Sequence, residues 1–290
     1  MQRRATHTAV TEYISTLLPV KFNDVSRLYH VPRNPRYNPD TAGVDRVVLT
    51  VTPSPGVYNL IGHPSSSANS DSDASSLTDQ HRTPRTICFL HRPFSLERRR
   101  VRHGTLAISS HTSFDEHLTV GWNTVLADRL GVDVSKSACI QGYKGDAERK
   151  IGIVGNVSML TSLLLRRIRQ EFGHVEFVHE GRGDEIKVVA IMNAFHAEDV
   201  HRVLEVAQEN RWLSSDDASS EQILYLTGQP RETGLLAARE MGMSVVCVGH
   251  RTAEEWGIRY MASSIRLAFP NLEVKELYEE ETTSSRRSSQ

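Results

Sequence analysis

Three apolar runs in this chain stop at an imidazole. ICFL runs into His91, LAISS into His111, and VVCVG into His250. Two of these histidines are followed four residues later by a carboxylate: Asp115 after His111, and Glu254 after His250. Residues i and i+4 share a helix face, so each pair presents an imidazole and a carboxylate together. That combination suits a borderline divalent cation such as Zn, Fe or Mn. Ligands of open α/β sheets bind beyond the carboxyl ends of strands, which is where all three histidines fall. A plainer reading also fits each pair alone. A carboxylate in a first helical turn is favoured by the macrodipole, and the histidine beside it is then a half-buried cap. Repetition at three strand ends favours the metal. Gly249, just before His250, suits a sharp backbone turn.

The elements that must hold these residues follow from periodicity. Helical spacing covers 8–18, 117–131, a stretch after 157 that closes near 173, 197–210, 230–241 and 252–269. Apolar runs with strand character cover 44–51, 85–91, 105–111, 151–157, 175–180, 186–193, 223–228 and 245–249. Strands that alternate with helices predict an α/β fold with a parallel or mixed sheet. Residues 64–82, PSSSANSDSDASSLTDQHR, carry almost no apolar surface and are expected to be a disordered insertion. The 279–290 tail is expected to be disordered as well.

Composition narrows the function classes. Of 290 residues, 39% are hydrophobic and 24% charged, which is globular. The net charge of −1 makes nucleic acid an unlikely partner. No apolar run is long enough to span a membrane. Cys88, Cys139 and Cys247 are dispersed and two of them sit in apolar runs, so they read as buried hydrophobes of a reducing, cytoplasmic compartment. The basic, acid-free start MQRRATHTAV keeps a mitochondrial address open, although a frayed helix start explains it more simply. LERRRVRHG, residues 96–104, reads either as a solvated connector or as phosphate capture.

Two blocks resemble a known family. AISSHTSFDEHLTVGWNTVLADRLGV and LYLTGQPRETGLLAAREMGMSVVCVGHRTAEEWGIRYMASSI are similar, without gaps, to blocks of the NIF-three-like proteins, also labelled type 2 homologues of GTP cyclohydrolase I. The resemblance implies a two-lobed α/β fold, with αβα layers and mixed sheets, that assembles as a ring-like homo-oligomer. It groups residues 1–131 with 223–278 as a metal-site lobe and makes 151–210 a second α/β lobe. By resemblance the metal ligands are His91, Asp115, His250 and Glu254. His111 stands beside them, with His111 and Glu254 in catalytic roles.

Two departures from the family pattern stand out. Arg92 replaces the second histidine of a His-His pair, and Gln229 stands where a glutamate is usual. A set of His91, His250 and Glu254 remains, implying one divalent ion and at most two; His63 or His103 is the alternative source of the missing imidazole. The implied function is a metal-dependent, cyclohydrolase-like hydrolase acting on a nucleotide-like or anionic small molecule. The alternative is a non-catalytic interaction protein, a partner of a transcriptional co-regulator with a degenerate metal site, for which a nuclear location would also fit.

Overall fold

The computed structural model describes residues 5–63, 83–213 and 217–279. The expected insertion at 64–82, and all of the expected tail but Glu279, lie outside the described residues. In chain order the elements are α1 (His7–Leu17), β1 (Leu28–His30), β2 (Arg46–Thr50), α2 (Pro55–Ile61), β3 (Thr86–Leu90), β4 (Leu106–Ser109), α3 (Thr112–His117), α4 (Thr124–Leu130), β5 (Ala138–Tyr143), β6 (Asp146–Leu160) and α5 (Thr161–Phe172). They continue with β7 (Phe177–His179), β8 (Glu185–Met192), α6 (Ala197–Glu209), β9 (Ile223–Thr227), α7 (Glu232–Glu240), β10 (Ser244–Cys247), α8 (His250–Ala268) and β11 (Glu273–Leu277). The chain divides into two compact units, one drawn from residues 1–111 and 258–290, the other from 112–257.

The first unit holds a five-stranded sheet in the order β1-β4-β3-β2-β11. Strands β11, β2, β3 and β4 run parallel, and β1 closes the edge antiparallel to β4. Every residue of β3 and β4 is buried, as expected of parallel strands covered on both faces. Thr50 lies opposite Leu90, and Leu90 opposite Ser109. The three strands therefore end level, and His91 and His111 emerge from neighbouring tips. After β2 the prolines that end the strand also start a helix. Ser54 caps α2, its Oγ accepting from the Val57 N–H at 3.4 Å, with Pro55 at the first helical position.

The second unit holds a six-stranded mixed sheet, β5-β6-β8-β9-β10-β7. β8, β9 and β10 are parallel; β6 and β7 pair antiparallel with β8 and β10, and β5 antiparallel with β6. Its core packs Val188, Tyr225 and Val245 of the sheet against Val203 of α6 and Ala238 of α7. The strands at 223–227 and 244–247, grouped by resemblance with residues 1–131, are hydrogen-bonded into this sheet through β8.

Two elements differ from the periodicity. Of the helix expected over 117–131, only 124–130 forms one, α4; α3 ends at His117 and residues 118–123 are not helical. Between them the Thr119 hydroxyl and Asn193 Nδ2 donate to the Asp115 carbonyl, each at 2.6 Å, and Asn123 Oδ1 accepts from the Leu126 N–H at 3.0 Å to start α4. A Cβ on Gly121 would stand 2.7 Å from the Asp115 carbonyl oxygen, so the chain is packed tightly where it turns. The second difference is β6, which continues to Leu160 through residues read as helical. Among the described residues no helix is long and apolar enough to cross a membrane.

Candidate metal centre

His91 is fully buried. Its backbone N–H donates to the Thr50 carbonyl at 3.2 Å, extending the β2–β3 ladder by one residue. Its ring lies with Nδ1 3.2 Å from the Ser110 carbonyl. A carbonyl only accepts, so Nδ1 carries the proton and Nε2 the lone pair, the tautomer a metal ligand needs. The His111 ring centroid is 4.8 Å from that of His91, the planes tilted by 48°. Phe94 stands edge-on to His111 at 5.4 Å. Asp24 fixes the approach to His111: Oδ1 accepts the His111 backbone N–H at 2.8 Å, and Oδ2 accepts the Ser110 hydroxyl at 2.9 Å. Nothing in the sequence pointed to Asp24. It is a lone carboxylate in a loop, and only the tertiary fold brings it to the tip of β4.

Asp115 follows His111 by one helical turn. His91, His111 and Asp115 each offer one ligand atom, all within 4.8 Å of one another. Two imidazoles, one locked in the ligating tautomer, and a carboxylate form a donor set that fits a divalent cation. His111 thus falls among the grouped donors, where the resemblance had it beside them.

The other two expected ligands lie in the second unit, where a cavity of about 180 Å³ is lined by Asp115, Arg149, Gln229, Arg231, His250 and Glu254, among others. Glu254 is only 2% exposed, and its Oε1 is 3.3 Å from Nε2 of the half-exposed His250. The expected turn before His250 is present: Gly249 has φ +92°, and a Cβ there would stand 3.1 Å from a Glu176 carboxylate oxygen. Arg149 on β6 reaches Asp115 Oδ2 at 3.4 Å. The sequence had given Arg149 no role, because KGDAERK matches no motif. His63 and His103, the alternative imidazole source, pack against each other with centroids 5.4 Å apart and do not join the grouped donors.

Residues 94–208 match the family model described as Duf34/NIF3 (NGG1p interacting factor 3). A GTP cyclohydrolase 1 type 2 homolog from Neisseria meningitidis serogroup B is 27% identical over 177 residues, 60% of this chain and 61% of the relative. The chain thus spans a little under two thirds of that curated relative. Reduced HcgD from Methanocaldococcus jannaschii superposes with a TM-score of 0.58 at 16% identity, covering 95% of this chain and 98% of the other. A Bacillus cereus protein related to NIF3 gives 0.53 at 11%, covering 97% and 98%. The chain resembles the NIF3 family over residues 94–208. At these identities the solved structures establish the shared fold, a mixed α/β architecture with two mixed sheets. The family match includes His111 and Asp115; His91, His250 and Glu254 lie outside it. Of the two departures, Gln229 lines the cavity, while Arg92 follows directly on His91 with its backbone N–H donating to the Val51 carbonyl at 2.7 Å.

Proposed function

We propose that this NIF3-like chain is a divalent-metal protein that hydrolyses a small anionic, nucleotide-like molecule. The observation that carries the reading is the grouping of His91, His111 and Asp115. A divalent cation held by these three would supply Lewis acidity and lower the pKa of a water. The remaining work belongs to the chain. The Ser110 carbonyl keeps the His91 ring in its ligating tautomer, and Asp24 holds the backbone of His111. With His111 among the donors, proton transfer passes to the cavity pair, where buried Glu254 takes a proton and His250 relays it to solvent. Arg149 and Arg231 line the same cavity and supply the positive charge that orients an anionic substrate. The name of the Neisseria relative points to a purine nucleotide as that substrate.

Elemental analysis of the full chain after dialysis against zinc or manganese tests the reading. About one ion per chain is expected, in line with a single three-residue donor set, with loss on His111→Ala and a gain on Arg92→His, which supplies a further imidazole. Turnover of nucleotide substrates should fall by about 100-fold or more in Glu254→Gln, the cost of losing a positioned acid–base group. Metal-free wild-type protein would overturn the proposal. A loaded protein with no turnover favours the second reading, a binding module, for which the neutral Gln229 in the cavity is the supporting observation.

A further inference from the structure

One carboxylate outside the grouped donors bears on both imidazoles. The loop between α1 and β1 lies against the tip of β4. Arg27 ties the two ends of that loop together, its Nη2 donating to the Leu18 carbonyl at 2.6 Å. The Arg27 carbonyl accepts the Ser109 N–H at 2.9 Å, so the pairing of β1 with β4 continues past the start of β1. Half-buried Asp24 stands in this loop. Its Oδ1 accepts the Val25 N–H at 2.7 Å, which fixes the carboxylate from its own side.

From that position the carboxylate has two arms. Oδ1 takes the His111 N–H at 2.8 Å, and Oδ2 takes the Ser110 hydroxyl at 2.9 Å. Ser110 is buried, and its carbonyl is the partner of His91 Nδ1. The second arm therefore reaches His91 through a single residue. Ser109 closes the circuit, its hydroxyl donating to the Leu90 carbonyl at 2.7 Å, directly before His91. Hydrogen bonds to a carboxylate are charge-assisted, shorter and stronger than neutral ones. That strength matters at these two rings, whose centroids are 4.8 Å apart. A divalent cation such as zinc takes imidazole nitrogens at about 2.0–2.1 Å, with about 0.2 Å of latitude. Rings that swing freely do not meet that demand together.

We infer that Asp24 is a positioning residue that couples the two imidazoles of the candidate metal centre. It sets the orientation of the His91 ring through Ser110 and the place of His111 through its backbone, so that both rings face one cation. The inference rests on the metal reading given above and goes beyond it. An anchor for His111 alone would leave His91 independent, whereas the coupling makes one loop residue, 67 positions before His91, answer for both. The competing role, a carboxylate that only pins the loop to β4, predicts lost stability with no change at either ring.

The test has two readouts on the full chain: titration with Co2+, followed by its visible absorption, and the imidazole nitrogen resonances of the metal-free protein. Asp24→Ala removes both arms. Its Co2+ affinity should fall by about 10–100-fold, the usual cost of losing a partner of a metal ligand, and the resonances of His91 and His111 should both move. Asp24→Asn keeps an acceptor for the two N–H groups and can donate from Nδ2 to the Ser110 hydroxyl oxygen. It should recover most of the affinity and return both resonances towards wild type. Ser110→Ala cuts the second arm alone, so it should move the His91 resonance more than that of His111. It also decides the matter if Asp24→Ala does not fold. Unmoved resonances in Asp24→Ala, an unmoved His91 in Ser110→Ala, or equal losses in Asp24→Asn and Asp24→Ala would each overturn the inference. Wild-type protein that takes up no Co2+ would instead remove the metal reading, while the resonances of the metal-free chain still decide whether Asp24 positions the two rings.

Discussion

His7 opens α1, 2% exposed, with Nδ1 2.9 Å from the Tyr37 hydroxyl. Burial pushes its pKa from 6.5 down to about 4. Between those values the unfolded chain binds a proton that the folded chain refuses, so stability rises with pH across the window. The contribution of neutral His7 is fully present above 6.5 and is lost as the pH falls towards 4. His7→Asn keeps a polar atom near Nδ1 and removes the titration. The stability difference between wild type and variant, from urea unfolding, should shrink by on the order of 3 kcal/mol between pH 7 and pH 4. A difference independent of pH would show that the folded and unfolded chains take up the His7 proton alike. The candidate metal centre shows the same dependence of a histidine on its surroundings. The positions of His91, His111 and His250 were legible as strand-end residues. Their partners Ser110, Asp24 and Glu254 were legible only where chain spacing already put them close, as with Glu254. Asp24 and Arg149 reach their places through long-range packing, which leaves no local pattern.

The strands and helices that the sequence announced are those with a continuous apolar run or a full amphipathic face: β3, β8, β9, α6 and α8. The elements it hid are short or lie at edges. β11 is partly exposed along its length, so it lacks a core-facing run. β1 has three residues and α2 seven. The break between α3 and α4, at residues 118–123, was hidden for another reason. Leu118, Val125, Leu126 and Leu130 keep helical spacing through the break, while the break itself depends on polar side chains. Asn123 is fully buried and uses both ends of its amide, accepting from the Leu126 N–H at 3.0 Å and donating to the Thr119 carbonyl at 2.9 Å. Asn123→Ala removes the cap of α4 and leaves the Thr119 carbonyl without that donor. Loss of an N-cap costs about 1 kcal/mol and an unsatisfied buried carbonyl a further 1–3 kcal/mol, so a total of roughly 2–4 kcal/mol is expected in chemical denaturation. Asn123→Asp retains the acceptor that caps α4 and should recover part of it. A loss below about 0.5 kcal/mol would mean that the cap is not what separates the two helices.

The second unit is an insertion in the first: the chain leaves after His111 and returns within α8, past Gly257. The resemblance implied two lobes and placed their boundary elsewhere. Strand pairing between β8 and β9 is a long-range choice, and hydrophobic pattern does not encode it. In the first unit the last strand ties back to the start, with Glu273 bound to Arg46 at 2.6 Å and Glu279 Oε2 accepting the Gly56 N–H at 2.8 Å. The fold of that unit thus draws on both ends of the chain. It should draw very little on residues 64–82. Leu77 is the one large aliphatic or aromatic side chain in that segment. Burying a single leucine contributes at most about 1.5–3 kcal/mol, which bounds what the segment can supply through its core contacts. Replacing it with a four-residue Gly-Ser linker between His63 and Thr83 shortens the loop by about two doublings. By loop-closure entropy that favours the folded state by roughly 1 kcal/mol. The two terms oppose one another, so the unfolding free energy of the shortened chain should lie within about 1 kcal/mol of wild type if Leu77 is solvated, with an unchanged urea slope. A fall of several kcal/mol, together with a smaller slope, would show that the segment buries surface its composition does not reveal.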